Sequence, residues 1–266
     1  MYYSILERVM KSFLKIFTVI IVMFYSYVNA QWVKIGFNGL GVMSIVAKEG
    51  NLFAATWGGY ICKLTDGGAT WEADTNGLGY WFYTSYVYAL AVVQSSSNSG
   101  VTNLFAGMEE GGIWRSTNDG ASWEWVYPLG VLGEHDISMT CLGSAGSTIL
   151  AGANGGVYRS ANDGGTWTIC NAGFQTTADS NVNCFTSLKV GSTTYFYAGT
   201  DGVVFISTTD GTSWTRISNG LPPGSITAIN ATPGSNGSAG INLYVGVGYL
   251  GIYHSISSNR FGILFS

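Results

Sequence analysis

The sequence carries little charge: Asp, Glu, Lys and Arg make up 10% of its 266 residues, less than half of the ordinary share of about 25%. Its few cations form no basic stripe, which excludes nucleic-acid binding driven by phosphate neutralisation. Proline is scarce, at four residues, and glycine follows no three-residue period, so the chain is not collagen-like. There are two histidines, His135 and His254, and four cysteines, Cys62, Cys141, Cys170 and Cys184. No pair of cysteines stands at a metal-ligand spacing, and neither a metal nor a cofactor is expected. The hydrophobic run at 16–28 has 13 residues, short of the ~20 that span a bilayer. What is abundant is glycine and aromatic rings: 38 Gly, nine Trp, 16 Tyr and 13 Phe. So many rings exclude a disordered chain, and so much glycine disfavours helices, each interior Gly costing roughly 1 kcal/mol against Ala. An all-β domain with many tight turns remains.

Residues 1–30 read as a secretory signal peptide. Lys11 and Lys15 precede the apolar run, and Val28-Asn29-Ala30 places small residues for cleavage before Gln31. Met10 offers an alternative start. Loss of Glu7, Arg8, Lys11 and Lys15 takes the net charge from −4 to −6. The mature chain is thus expected to be acidic, secreted to the periplasm or the extracellular space, free of the membrane after cleavage, and monomeric. Export permits disulfides, for which Cys141, Cys170 and Cys184 are the favoured partners, with the pairing left open.

Self-similarity organises residues 31–258. Ser116-Thr-Asn-Asp-Gly-Ala-Ser-Trp123, Ser160-Ala-Asn-Asp-Gly-Gly-Thr-Trp167 and Ser207-Thr-Thr-Asp-Gly-Thr-Ser-Trp214 share one pattern, and Thr65-Asp66-Gly67-Gly68-Ala69-Thr70-Trp71 is a fourth copy. The Trp-to-Trp spacings are 52, 44 and 47 residues, the range of repeat architectures. Each repeat holds four short runs rich in β-branched and aromatic residues and bounded by Gly, Asn or Ser, which read as four strands. Units of this kind predict a β-propeller. First, second and third strands occur five times, but the fifth unit lacks its Asp-Gly turn and fourth strand. Trp32-Val-Lys-Ile-Gly-Phe-Asn38-Gly39-Leu40 aligns with the fourth strand Trp214-Thr-Arg-Ile-Ser-Asn219-Gly220-Leu221. Five blades closed by the N-terminal strand are therefore expected. Residues 259–266 read as a ragged end, open to a longer chain. The Ser-, Gly- and Asn-rich turns at 94–103 and 231–242 read as flexible loops, and Asn230 and Asn236 match the glycosylation acceptor pattern.

At these motifs the chain resembles the Asp-box (BNR) repeat family, which includes sialidases, xyloglucanases, sortilin-type receptors and photosystem II assembly factors. It is also similar to non-enzymatic secreted repeat proteins of Bacteroidetes-type bacteria. The resemblance implies that Asp66, Asp119, Asp163 and Asp210 build turns, with hydrogen bonds from nearby backbone amides. It also implies that Trp71, Trp123, Trp167 and Trp214 pack over those turns. Family sialidases use an arginine triad, a tyrosine nucleophile and acidic partners. Arg115 and Arg159 instead occupy one repeated strand-surface position and cannot converge on a single carboxylate.

Function is expected on the face opposite the Asp-Gly turns, where the fourth-to-first connections and second-to-third turns lie. Trp57, Tyr80, Trp81, Tyr83 and Tyr86 concentrate there, with Glu109 and Glu110. Trp and Tyr offer flat apolar area with a polar handle, suited to a glycan or a protein partner. Glu134, His135, Asp136, Asp179 and Asp201 fall on the same face and read as solvated loop groups. The expected function is a non-catalytic binding scaffold for a glycan or exported protein. Two alternatives are a small sialidase-like glycoside hydrolase using the acidic loops and an assembly factor for another exported protein.

Overall fold

A computed structural model describes residues 34–36, 41–65, 70–74, 76–78, 86–109, 111–126, 138–234 and 240–255. Lys34 and Ile35 belong to a separate N-terminal unit, Met1–Ile35, and everything below concerns the unit from Gly36 onward. The protein is an all-β propeller of five antiparallel sheets. The first blade is β1 (Val42–Lys48), β2 (Asn51–Thr56), β3 (Ile61–Leu64) and β4 (Trp71–Ala73). The second is β5 (Val87–Gln94), β6 (Thr102–Met108), β7 (Gly112–Ser116) and β8 (Glu124–Trp125). The third is β9 (Met139–Ala145), β10 (Thr148–Ala153), β11 (Gly156–Ser160) and β12 (Thr168–Ile169). The fourth is β13 (Val182–Val190), β14 (Thr193–Thr200), β15 (Val204–Ser207) and β16 (Thr215–Arg216). The fifth has three strands among the described residues, β17 (Ile226–Pro233), β18 (Ile241–Val247) and β19 (Gly251–His254).

Second strands explain why the repeats read as unbroken apolar runs. All six residues of β10 are buried, as are six of the seven in β6. A strand covered on both faces has no solvent side to mark with alternate polar residues. Each interface between consecutive blades is one hydrophobic cluster, such as Phe53, Ala55 and Ile61 of the first blade against Val87, Leu90 and Leu104 of the second. Close approach depends on a small residue in the second strand. A side chain at Gly199 would lie 2.4 Å from Ile226 Cγ2 of the fifth blade, and one at Gly152 would lie 2.8 Å from Val182 Cγ1 of the fourth. First strands stack in order, β1 on β5, β5 on β9, β9 on β13 and β13 on β17.

Closure differs from the expectation. No comparable packing joins β17 to β1 among the described residues, so the ring is not closed there. Most of the proposed closing strand, Trp32, Val33 and residues 37–40, lies outside the described residues. Gly36 is described, and a Cβ on it would meet the Trp71 ring at 2.3 Å. Residues 259–266 and Asn236 also lie outside the described residues. All four cysteines are free thiols, three of them buried, so the disulfides that export would permit are not formed. Burial pushes the Cys184 thiol up to about 12 and raises Cys141 further, which makes both chemically inert.

The Asp-Gly turns behave differently from the local device expected. Asp119, Asp163 and Asp210 themselves take positive φ, at 57°, 56° and 56°, as do the glycines that follow. Two successive positive-φ residues are what a type I′ hairpin turn requires, and Asp-Gly supplies them at low strain. The turn amides are satisfied by the motif serine: Gly120, Gly164 and Gly211 N–H donate to the hydroxyls of Ser116, Ser160 and Ser207 at 2.9, 3.0 and 3.0 Å. That leaves the aspartate carboxylates free to reach the preceding blade. Asp119 pairs with Lys48, and its carbonyl accepts from Lys63 Nζ at 3.1 Å. Asp163 accepts from Ser95, Ser96, Ser97 and Asn103, and its carbonyl accepts from Arg115. Asp210 accepts from Thr148 Oγ1 at 2.8 Å and pairs with Arg159, whose Nε donates to the Asp210 carbonyl at 2.6 Å. The turn segment 95–97 is thus clamped rather than a free loop, and Arg115 and Arg159 are bonding groups between blades rather than surface residues. Asp66 lies outside the described residues.

The motif tryptophans also carry hydrogen bonds. Trp123 Nε1 donates to Asp74 O at 3.1 Å and Trp214 Nε1 to Cys170 O at 3.0 Å, both on the preceding blade. Trp167 keeps to its own turn, donating to Gly164 O at 3.1 Å. Trp71 is half-buried at the start of β4.

Candidate functional site

The antiparallel order of every blade sends its second-to-third turn and its entry connection to the end opposite the Asp-Gly turns. In the first blade that turn is Trp57-Gly58-Gly59-Tyr60. It is closed by Thr56 N–H donating to Tyr60 O at 3.0 Å, and Gly58 takes a φ of 135° that a side chain would resist. Trp57 N–H donates to Gly41 O at 2.8 Å, which fixes the turn against the chain entering β1. Trp57 and Tyr60 are both exposed.

The second blade supplies the rest. Glu109 opens its second-to-third turn, and Glu109 N–H donates to Tyr86 O at 2.8 Å. Tyr86 immediately precedes β5, and Tyr88 lies within it at the register shift between Val87 and Ala89, where a bulge re-aims the side chain. Trp57 meets Tyr86 edge to face, with ring centroids 5.6 Å apart, and Tyr86 meets Tyr88 at 6.2 Å. The Tyr88 hydroxyl donates to Glu109 Oε1 at 2.9 Å. Burial first, and the Glu109 carboxylate next, hold the Tyr88 phenol above its ordinary value, so it stays a neutral donor. The result is a line of three rings from an exposed indole to a carboxylate, spanning two blades.

Of the residues expected here, Trp57, Tyr86 and Glu109 come together. Tyr80, Trp81, Tyr83 and Glu110 lie outside the described residues, as do Glu134, His135 and Asp136. Tyr60 and Tyr88 were missed. Tyr88 gave no local signal: the register shift between Val87 and Ala89 breaks strand alternation there, and its place in an apolar run made it look like core.

Two further acids expected on this face, Asp179 and Asp201, are engaged elsewhere. Asp179 is buried and accepts from the Gln175 and Thr176 N–H groups at 2.8 and 2.9 Å. Asp201 accepts from Asn183, Asn181 and Ser225 at 3.0, 2.9 and 2.9 Å. Those bonds, from Asn183 and Asn181 foremost, hold its carboxyl below the usual range. A carboxylate so satisfied is a poor proton donor near neutral pH. No cluster of three or more His, Cys, Asp or Glu side chains suited to a metal ion occurs among the described residues.

No family model matches the chain, and no curated protein matches it. Solved structures do. The chain is similar to YCF48 bound to D1 peptide, at 16% identity and a TM-score of 0.57, covering 82% of this chain and 66% of that one. It is similar to the extracellular domain of a one-component system from B. thetaiotaomicron, at 16% identity and a TM-score of 0.60, covering 85% of this chain and 28% of that one. It is also similar to an ancestral GH74 enzyme, at 16% identity and a TM-score of 0.60, covering 80% of this chain and 30% of that one. The chain therefore spans just under two thirds of the first protein's length and less than a third of the other two. At these identities the likeness establishes the propeller fold, which hosts catalysts and binders alike.

Proposed function

We propose that the protein is an exported, non-catalytic scaffold of the Asp-box type that binds a glycan or an exported protein through the face carrying Trp57. The observation that supports this reading is the line Trp57–Tyr86–Tyr88–Glu109. An exposed indole and an adjoining phenol ring give apolar area at low conformational cost. At the far end the Glu109 carboxylate, oriented by Tyr88, can accept a hydrogen bond from a ligand hydroxyl, amide or ammonium group. Tyr80, Trp81, Tyr83 and Glu110, in the same stretch and turn of sequence, extend this surface in the proposal. The serine-closed Asp-Gly turns support the Asp-box assignment, because the motif residues do in space what a repeated structural device requires.

Binding to a glycan array and to a panel of exported proteins tests the proposal, with wild type compared with Trp57→Ala and Glu109→Gln. Loss of an exposed aromatic anchor is expected to weaken capture at least tenfold, equivalent to about 1.4 kcal/mol or more. Capture unchanged in both variants would remove this face from consideration. Hydrolysis of fluorogenic sialosides or glucosides that disappears in Glu109→Gln would replace the scaffold with a glycosidase.

A further inference from the structure

The first and last blades each present a face that every internal blade buries. Repeat register makes the comparison direct. Ile61, Ile113, Val157, Val204 and Ile252 pair with Ala55, Gly107, Gly152, Gly199 and Gly246 respectively. The first four of these third-strand residues are 0, 0, 0 and 1% exposed, each packed in the interface with the following blade; Ile252 is 82% exposed. Second-strand positions repeat the pattern. Phe53, Phe105, Leu150 and Tyr197 are at most 1% exposed, and their equivalent Tyr244 is 39% exposed. At the other end, Val87, Met139, Val182 and Ile226 each open a first strand, fully buried against the preceding blade, whereas the equivalent Val42 is 48% exposed. Ile45 is 55% exposed where its equivalent Leu90 is 6% exposed.

These faces are the two halves of one joint. In three of the four internal joints the strand-opening residue sits on a glycine of the preceding blade, and in the first joint Ala55 takes the glycine's place. A Cβ built on Gly107, Gly152 or Gly199 would lie 3.1, 3.0 or 2.9 Å from the Cβ of Met139, Val182 or Ile226. Gly246 offers the same notch, and a Cβ there meets only its own blade, Ala228 Cβ at 3.4 Å. Val42 is the matching knob without a notch. The last blade also presents Tyr244 and Ile252 at the positions where Phe105 and Ile113 meet the third blade.

We infer that the outward face of the fifth blade receives the outward face of the first blade of a second copy, continuing the blade-on-blade interface from one chain to the next. This replaces the monomer expected from sequence and is independent of the ligand-binding proposal. The second copy is the occupant because both complementary halves are in one chain, while β17 and β1 of that chain do not pack on each other. Such a joint is heterologous: one copy's knob meets another's notch, so association proceeds head to tail into a ring or a chain of arcs.

The test is sedimentation velocity of the purified chain from about 1 to 100 μM, with Gly246→Val as the probe. A notch filled by a β-branched side chain is expected to weaken association at least tenfold, equivalent to about 1.4 kcal/mol. Gly246 lacks a positive φ and has ordinary room for a Cβ, so a circular dichroism melt of the dilute variant should match or exceed wild type. Cross-linking supplies the second readout. Val42→Cys mixed with Gly246→Cys should form a disulfide between chains, because the equivalent internal positions lie close to disulfide range. A wild type that stays monomeric throughout, or association that Gly246→Val leaves intact, overturns the inference. So does a Val42→Cys/Gly246→Cys double variant that closes within one chain at high dilution, which would mean the arc shuts on itself.

Discussion

Asp163 is the group whose removal tests the blade-to-blade latch most directly. Its two oxygens accept from Ser95 Oγ, Ser96 N–H, Ser96 Oγ, Ser97 Oγ and Asn103 Nδ2 at 2.8 to 3.3 Å. In Asp163→Ala the hydroxyls can turn to one another, as Ser95 and Ser97 already do at 3.1 Å, and water reaches the exposed Ser96, but the buried Asn103 amide loses its acceptor. One stranded donor to a former charge costs about 2 kcal/mol, and alanine at positive φ adds about 1 kcal/mol. A loss of about 3 kcal/mol would lower the melting midpoint by roughly 6–12 °C in a chain of this size. Asp163→Asn keeps the shape, tolerates the backbone and retains one acceptor, so about 1–2 kcal/mol is expected. The two variants therefore rank in a fixed order.

The pH dependence gives a second reading of the same group. Burial alone pushes the Asp163 carboxyl up, but the Ser96 amide and the three serine hydroxyls outweigh it and hold the carboxyl below its ordinary value. A depressed folded value means the contribution is complete above the unfolded value of ~3.9 and is lost as pH falls through the folded one. Urea melts of wild type and Asp163→Asn from pH 7 to pH 2.5 should thus diverge at neutral pH and converge in acid. A gap that stays constant over that range, or an Asp163→Ala loss under about 1 kcal/mol, would refute the latch.

Two further outcomes follow from the interfaces. A double-mutant cycle on Arg159→Met and Asp210→Asn should give a coupling of about 1 kcal/mol in urea unfolding, because the pair is part-buried and doubly hydrogen-bonded; additive losses would mean that the ion pair contributes nothing. Tyr197 is buried with a hydroxyl that has no hydrogen-bond partner among the described residues. Tyr197→Phe should therefore be neutral or stabilising by up to about 1 kcal/mol, and a loss in thermal melts would point to a bonded water.

Strands and blades were readable because their signals are local. A strand such as Val87–Gln94 declares itself by β-branched composition and flanking turn residues, and the Asp-Gly turn by two adjacent letters. The latch was not readable from any one repeat, since Lys48 and Asp119 are 71 residues apart and meet only through blade packing. Its trace is nevertheless present across repeats. Lys63, Arg115 and Arg159 hold one strand position in blades whose successor carries the turn aspartate, while the equivalent Ile206 precedes the one blade that lacks it. The proposed binding face was half legible: Trp57, Tyr86 and Glu109 were expected together, but the Tyr88 hydroxyl that orients Glu109 was hidden because a tyrosine within an apolar strand looks like packing.

The latch also has a direction. Among the described residues each turn aspartate finds its receiver on the blade before it: Asp119 on Lys48, Asp163 on the Ser95–Asn103 segment, Asp210 on Arg159. Synthesis delivers the chain from its N-terminus. Each receiver therefore exists before the aspartate that will occupy it, and a newly made blade can be captured by the one already folded without waiting for later sequence. Circular permutation between blades should preserve the final fold while reversing that order for the displaced blades, separating the speed of assembly from the stability of what is assembled.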